Sequence, residues 1–308
     1  QPSSDVVLQF VSGDTGEATV TSLLTFTSGN WNSAQTVTVT GVDEEFVDLN
    51  QTSTITASIV DVSSDDNFDS VADQTVSVTT TDDDTAGFTI AQTEGSTSVN
   101  ESGTTDTFTI VLTGRPTSDV VLSITSGDTG EATVTNALTF TSANWNSAQT
   151  VTVTGVDDNI IDGTITSTVT VAVNDGSSND NFDAVANQTV SVTTVDNDAA
   201  GFTITQTEGS TSVNESGTTD TFTVVLNAQP ASNVVLNITS SDTGEATVTG
   251  TLTFTPANWN SAQTVTVTGV NDNLVDGTQT STLTVTVNDG SSDNDFDGVA
   301  DQTVSVTT

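Results

Sequence analysis

The residues of this chain that could do chemistry are carboxylates, and they come in bunches. One cluster follows a Gln-Thr-Val-Thr-Val-Thr-Gly-Val run: Asp43, Glu44, Glu45 and Asp48 at its first occurrence. Asp157, Asp158 and Asp162 hold the same place at the second, and Asp272 and Asp276 at the third. A second cluster is Asp82, Asp83 and Asp84, echoed by Asp196 and Asp198, and a third element is Glu101, echoed by Glu215. Ca²⁺ takes about 6–8 oxygen ligands, mainly carboxylates and carbonyls. Carboxylates from three converging loops meet that demand. Without an ion they would repel one another or take up protons. Mg²⁺ suits the set less well, because it keeps several waters and uses one or two carboxylates. Zn²⁺ is a poor match in a chain without His or Cys. Any single Asp here could instead close an Asx turn; the joint pattern favours calcium.

The charge balance points the same way. Arg115 is the only basic residue against 41 Asp and Glu, for a formal net charge of −40. A compact body with that charge repels itself unless cations collect on it. Nucleic acid and anionic membrane are excluded as partners, since phosphate binding needs Lys and Arg. With no Cys, no disulfide can staple the fold. No apolar run approaches the length of a membrane-spanning helix. The absence of His rules out a nucleophile–His pair. Paired carboxylates could in principle hydrolyse glycosides, but every cluster recurs with its whole surroundings, which active sites rarely do. The expectation is a protein that is not an enzyme.

The elements that position these acids are repeated. Glu17-Ala-Thr-Val recurs at Glu131 and Glu245, a step of 114 residues, and Trp31, Trp145 and Trp259 keep that step. Phe68, Phe182 and Phe296 do too. A fixed period without insertions is the signature of an array. The phase predicts a partial repeat over 1–80 that lacks its first strands, then complete repeats over 87–194 and 201–308. Acidic linkers fall at 81–86 and 195–200, too short for free motion once their charge is neutralised. The same phase predicts a functional unit longer than these 308 residues.

Within 87–194, alternating runs predict strands at 87–92, 105–113, 118–125, 131–141, 148–155, 164–173 and 187–194. Phe108, Ile110 and Leu112 should face inward, as should Val120, Leu122 and Ile124, with Thr and Ser between them on an exposed pleated face. About seven short strands in roughly 110 residues predict an all-β, immunoglobulin-like antiparallel sandwich, here arrayed in tandem.

Five segments add a resemblance. Asp82-Asp83-Asp84-Thr-Ala-Gly-Phe, followed by Val99-Asn100-Glu101, resembles the junction between consecutive Calx-beta domains. Leu138-Thr-Phe-Thr, Gln149-Thr-Val-Thr-Val-Thr-Gly-Val and Asp162-Gly163 resemble the strand and acidic-loop order of that family. The resemblance implies a seven-stranded sandwich that binds calcium at one apex, near the next domain. It also implies a place in large bacterial extracellular or cell-surface proteins of adhesin type. In the second repeat the implied site is Glu101, Asp157, Asp158, Asp162, Asp196 and Asp198. In the first it is Asp43, Glu44, Glu45, Asp48 and Asp82 to Asp84; in the third, Glu215, Asp272 and Asp276. Asn271 and Asn197 depart from the acidic pattern.

The leading expectation is therefore a calcium-stiffened structural shaft whose partners are calcium ions and neighbouring repeats of the same or an identical chain. Two alternatives stand beside it. Trp turns or Thr rows could contact glycans or surfaces, although a Trp before a strand more commonly caps the core. Alternatively, unpaired sheet edges could take strands from a neighbouring chain in a filament. A further acidic loop, Asp175 to Asp183 and its counterparts, lacks the spacing of an EF-hand.

Overall fold

A computed structural model describes all 308 residues, and it is all-β. In the second repeat, apolar residues at every other position face inward. Phe108, Ile110 and Leu112 are buried, as are Val120, Leu122 and Ile124, Val151 and Val153, Val169 and Val171, and Val190 and Val192. The intervening Thr and Ser suit the outer pleated faces, where β-branched side chains pack well. Two sheets close over this core. One runs Ala132–Val134, Gln149–Gly155, Thr105–Leu112, Phe88–Gln92. The other runs Ala137–Phe140, Val120–Ser126, Ile165–Val173, Gln188–Val195, Thr97–Asn100. All pairings are antiparallel except that of Gln188–Val195 with Thr97–Asn100.

Two departures from the strand pattern have physical causes. The run at 131–141 is two strands in different sheets. At its midpoint the Thr135 amide donates to Thr152 of one sheet, and the Asn136 carbonyl accepts from Ile124 of the other. A strand outside the predicted runs, Thr97–Asn100, makes the second departure, because the chain crosses between sheets after Phe88–Gln92. Glu94 and Gly95 take positive φ, and Thr97–Asn100 then joins the opposite sheet as an edge strand. Alternation of side chains shows which face is buried, and it does not show which sheet a strand joins.

The third repeat copies this arrangement, from Phe202–Gln206 to Gln302–Thr307. The first contains a four-stranded sheet of Leu23–Phe26, Val6–Ser12, Gln51–Ile59 and Gln74–Thr80, and a ribbon of Ala18–Val20 with Val39–Gly41. Counterparts of Phe88–Gln92 and Thr105–Leu112 are not among the 308 residues. Val11, Leu23, Trp31 and Val76 of this repeat are accordingly exposed. Trp145 and Trp259, by contrast, pack against the cores of their repeats. The acidic loop at Asp175 closes on itself: the Asn179 side chain caps the turn at Asp180–Phe182 by accepting from the Asn181 amide. Its counterpart Asp65 accepts from the amides of Ser3, Ser4 and Asn67 and from the Ser3 hydroxyl. Those bonds hold its carboxyl well below the usual range.

Successive repeats are joined by the loop that carries the first acidic cluster. Phe46–Val47 pairs in parallel with Arg115–Pro116, and Val47 is part of the second repeat's core. The Arg115 amide donates to the Glu45 carbonyl at 2.8 Å, and Asn181 Nδ2 donates to the Val47 carbonyl at 2.8 Å. The Arg115 guanidinium lies over the Phe46 ring, 4.2 Å from its centroid. At the next junction Ile160 bridges to Gln229, the Gln229 amide donates to Asn159, and Ile161 packs on the third repeat's core.

Candidate metal centre

Each repeat brings its acids together at the end from which the chain leaves it. In the second repeat the edge strand Thr97–Asn100 delivers Glu101, whose side chain is 1% exposed. Behind it Gly155 lies so close that a Cβ there would run into the Asn100 carbonyl oxygen. The Gly of the Thr-Gly-Val motif is thus what lets the two sheets close at this point.

Carboxylate oxygens of Glu101, Asp196 and Asp198 lie within 4.8 Å of one another, and so do those of Glu101, Glu131 and Asp162. Glu101 is common to both groups. Asp196 folds the linker back over the site. Its Oδ2 accepts from the amides of Asp162 at 3.1 Å and Gly163 at 2.9 Å, and its Oδ1 from the Asp198 amide at 2.6 Å. Asp158 shapes the loop, accepting from the Ile160 amide at 2.7 Å. Asp157 accepts from Asn197 Nδ2 at 3.1 Å and stands outside both groups.

The first repeat is built alike. Glu17, Glu44 and Asp48 form the close group. Asp82 accepts from the amides of Asp48, Leu49 and Asp84. Asp43, Asp83 and Asp84 line the same small cavity. Glu45 does not line it; its backbone carbonyl is spent on Arg115. In the third repeat Glu245, Asp272 and Asp276 converge, and Glu215 stays outside the group.

In the sequence Glu17, Glu131 and Glu245 stand out only as markers of the repeat. In the structure each belongs to its cluster. The available signal was an acid at a fixed place immediately before an Ala-Thr-Val strand, where a polar residue with no structural duty is unexpected.

The chemistry of these groups is that of carboxylates lacking a counter-charge. Oε2 of Glu131, Oε2 of Glu245 and Oδ2 of Asp198 are buried without any hydrogen-bond partner. These are the only carboxylate oxygens so placed, and all three fall in the clusters. A buried acceptor left unpaired costs about 1–3 kcal/mol, and more when charged. Burial pushes the Glu101 carboxyl up to about 7, aided by Asp196, Asp158 and Asp162 and opposed by the Asn197 amide. Burial, with repulsion from Asp162, likewise raises Glu131, and burial raises Glu17 and Glu245. A divalent cation would satisfy the orphaned oxygens and reverse these shifts.

A pH prediction follows for the calcium-free protein. Glu101 titrates near 4.5 when unfolded and near 7 when folded. The folded state therefore holds a proton over that interval which the unfolded state has lost, so stability falls as pH rises from about 4.5 to about 7. Thermal melting in chelator should give a higher melting temperature at pH 5 than at pH 7.5. Glu101→Gln should flatten part of that slope. An unchanged slope in the variant would show that general charge repulsion accounts for it all.

No protein-family model matches the chain, and no curated protein matches it. Among solved structures it is similar to CBD12 from CALX1.2, at 11% identity and a TM-score of 0.28, over 71% of this chain and 99% of that one. It is similar to the calcium binding domain CBD12 of CALX1.1 at 12% identity and a TM-score of 0.27, over 64% of this chain and 80% of that one. A likeness to the S-layer protein rSbsC has 16% identity and a TM-score of 0.30, over 98% of this chain but 35% of that one, so the chain spans about a third of its length. Scores of this size carry no argument, and the functional reading rests on the site itself.

Proposed function

We propose that this chain is a structural segment of a secreted or cell-surface protein, in which calcium at the acidic clusters stiffens a line of β-sandwich repeats. It has no catalytic role in this reading. The observation that carries the proposal is the set of orphaned, buried carboxylate oxygens of Glu131, Glu245 and Asp198 inside the clusters. Burying a carboxylate oxygen without a partner is costly unless a cation binds it or the group takes up a proton, and a cation in each cluster would satisfy all three. In the second repeat Glu101, Glu131, Asp162, Asp196 and Asp198 would hold the ion, with Asp158 shaping the loop. The first repeat would use Glu17, Glu44, Asp48, Asp82 and Asp84. The third would use Glu245, Asp272 and Asp276 and bind more weakly, having fewer acids.

The location gives the ion a mechanical effect. The loop that supplies Asp158 and Asp162 also supplies Ile160 and Ile161 to the next repeat. Neutralising its acids removes repulsion between the linker and the loop that seats the neighbour. Extracellular calcium modules bind in the range of about 10⁻⁴–10⁻³ M, and calorimetric titration should find sites in that range. Small-angle X-ray scattering should show a more extended particle in calcium than in EDTA. Identical profiles in the two would refute the stiffening, and a flat titration would refute the calcium site.

A further inference from the structure

The two joints between repeats share one kind of backbone seat, but the side chains that tighten it differ. In the first joint Val47 enters the second repeat's core and is only 4% exposed. A glycine makes room for it: a Cβ on Gly114 would lie 2.5 Å from Val47 Cγ2. The Asn181 side chain holds the Val47 carbonyl. Arg115 closes the seat from outside, with its guanidinium on the Phe46 ring and its Nε donating to the Ser142 carbonyl at 3.0 Å. Phe46–Val47 and Arg115–Pro116 then form a two-residue ladder. One period later each of these devices is replaced. Ala228 stands in the place of Gly114 and is fully buried, so a methyl group takes up the space that Val47 fills in the first joint. The incoming side chain is the larger Ile161, and it stays half-buried. Gln229 replaces Arg115 and Ile160 replaces Phe46, so no cation lies on a ring. Asp295 replaces Asn181, and a carboxylate has no proton to donate to the Ile161 carbonyl. The ladder shrinks to the single bridge of Ile160 with Gln229.

We propose that the first joint is a lock and the second a hinge, so that the first two repeats move as one rod and the chain bends between the second and third. Neighbouring domains move relative to one another unless their interface is extensive and apolar. Segments with few buried apolar contacts are the ones that open most easily. Val47, seated against Gly114 and held by Asn181 and Arg115, meets the requirement for rigidity; Ile161 does not. Both seats form, and they differ in how firmly they hold. This goes beyond the stiffening reading. Calcium at the acidic clusters would act on both joints, whereas the contrast between them resides in Gly114, Arg115 and Asn181 and needs no ion.

The chain has no Cys, so spin labels can be placed in pairs at will. Thr54, Thr168 and Thr282 are exposed and hold the same place in the three repeats. Dipolar distance measurements on the pair Thr54→Cys with Thr168→Cys read the first joint, and those on Thr168→Cys with Thr282→Cys read the second. Chelator is present throughout, so the calcium reading can fail without touching the result. The distance distribution across the second joint should be wider than that across the first by about twofold or more, as a loosely seated neighbour allows. Transplanting the lock with Ile160→Phe, Ile161→Val, Ala228→Gly, Gln229→Arg and Asp295→Asn should narrow the second distribution to the width of the first. Gly114→Ala should widen the first, and the fold accommodates it, because Ala is the residue at that place in the third repeat. Equal widths for the two pairs would overturn the proposal. A second joint left unchanged by the transplant would overturn it too, by showing that these residues do not set the stiffness.

Discussion

Calcium added to chelator-treated protein should raise its melting temperature by about 10 °C or more, and Glu131→Gln should change the sign of its effect with the ion. An ion that binds only the folded state stabilises it by about 2.7 kcal/mol at a hundredfold excess over its dissociation constant. In a unit of roughly 100 residues, 1 kcal/mol moves the midpoint by about 4–8 °C. Glu131 is the sensitive probe because its Oε2 is buried and unpaired, beside Glu101 and Asp162. In chelator, Gln at this position removes a buried charge without changing its size, and the variant should melt higher than the parent. In calcium it removes a ligand, and the variant should melt lower. Differential scanning calorimetry in the two buffers reads both signs. A shift in the same direction in both would mean that Glu131 does not face an ion.

Phe182→Ala should be among the costliest single truncations, about 3–5 kcal/mol as is usual for a buried Phe. The ring is fully buried at the end of the second repeat that receives Val47. It follows Asn181, which holds the Val47 carbonyl. Losing it opens the core and loosens the seat of the preceding repeat together. Phe296→Ala, at an equally buried site, should cost about the same. Phe68→Ala should cost clearly less, because that ring is only half-buried and lines the open cavity of the first repeat. Urea unfolding of the three variants separates them. Equal costs would show that the cavity around Phe68 is closed in solution.

Much of this was legible in the sequence because it was written three times. The 114-residue step locates the repeats, and alternation of Thr with Val marks which residues of each strand turn inward. What alternation could not carry was sheet membership. The run at 131–141 reads as one strand, yet it changes sheet at Thr135 and Asn136, because the backbone partners of those residues lie far away in the chain. The metal centre was half legible. The Asp-rich loop and linker were visible as composition, and the structure brings about half of them into close groups. Asp43, Glu45, Asp82 to Asp84, Asp157, Asp158 and Glu215 show the same composition but fall outside the close groups. Glu131 was hidden by its isolation, one acid before a strand, and only the closure of the two sheets brings it to Glu101. The apolar pair inside the acidic loop, Ile160 and Ile161, was equally visible and equally silent, since its partner is another repeat.

That pair makes the repeats interchangeable. The seating loop at the end of one repeat and the edge that receives it in the next, at Arg115–Pro116 and at Gln229, are specified separately, and both recur in register. A duplication or loss of one whole 114-residue unit therefore leaves every remaining joint intact, while a change of a few residues within a unit would spoil two. Length in such a chain can vary in whole steps with no redesign of the parts, which accounts for a period kept without a single insertion.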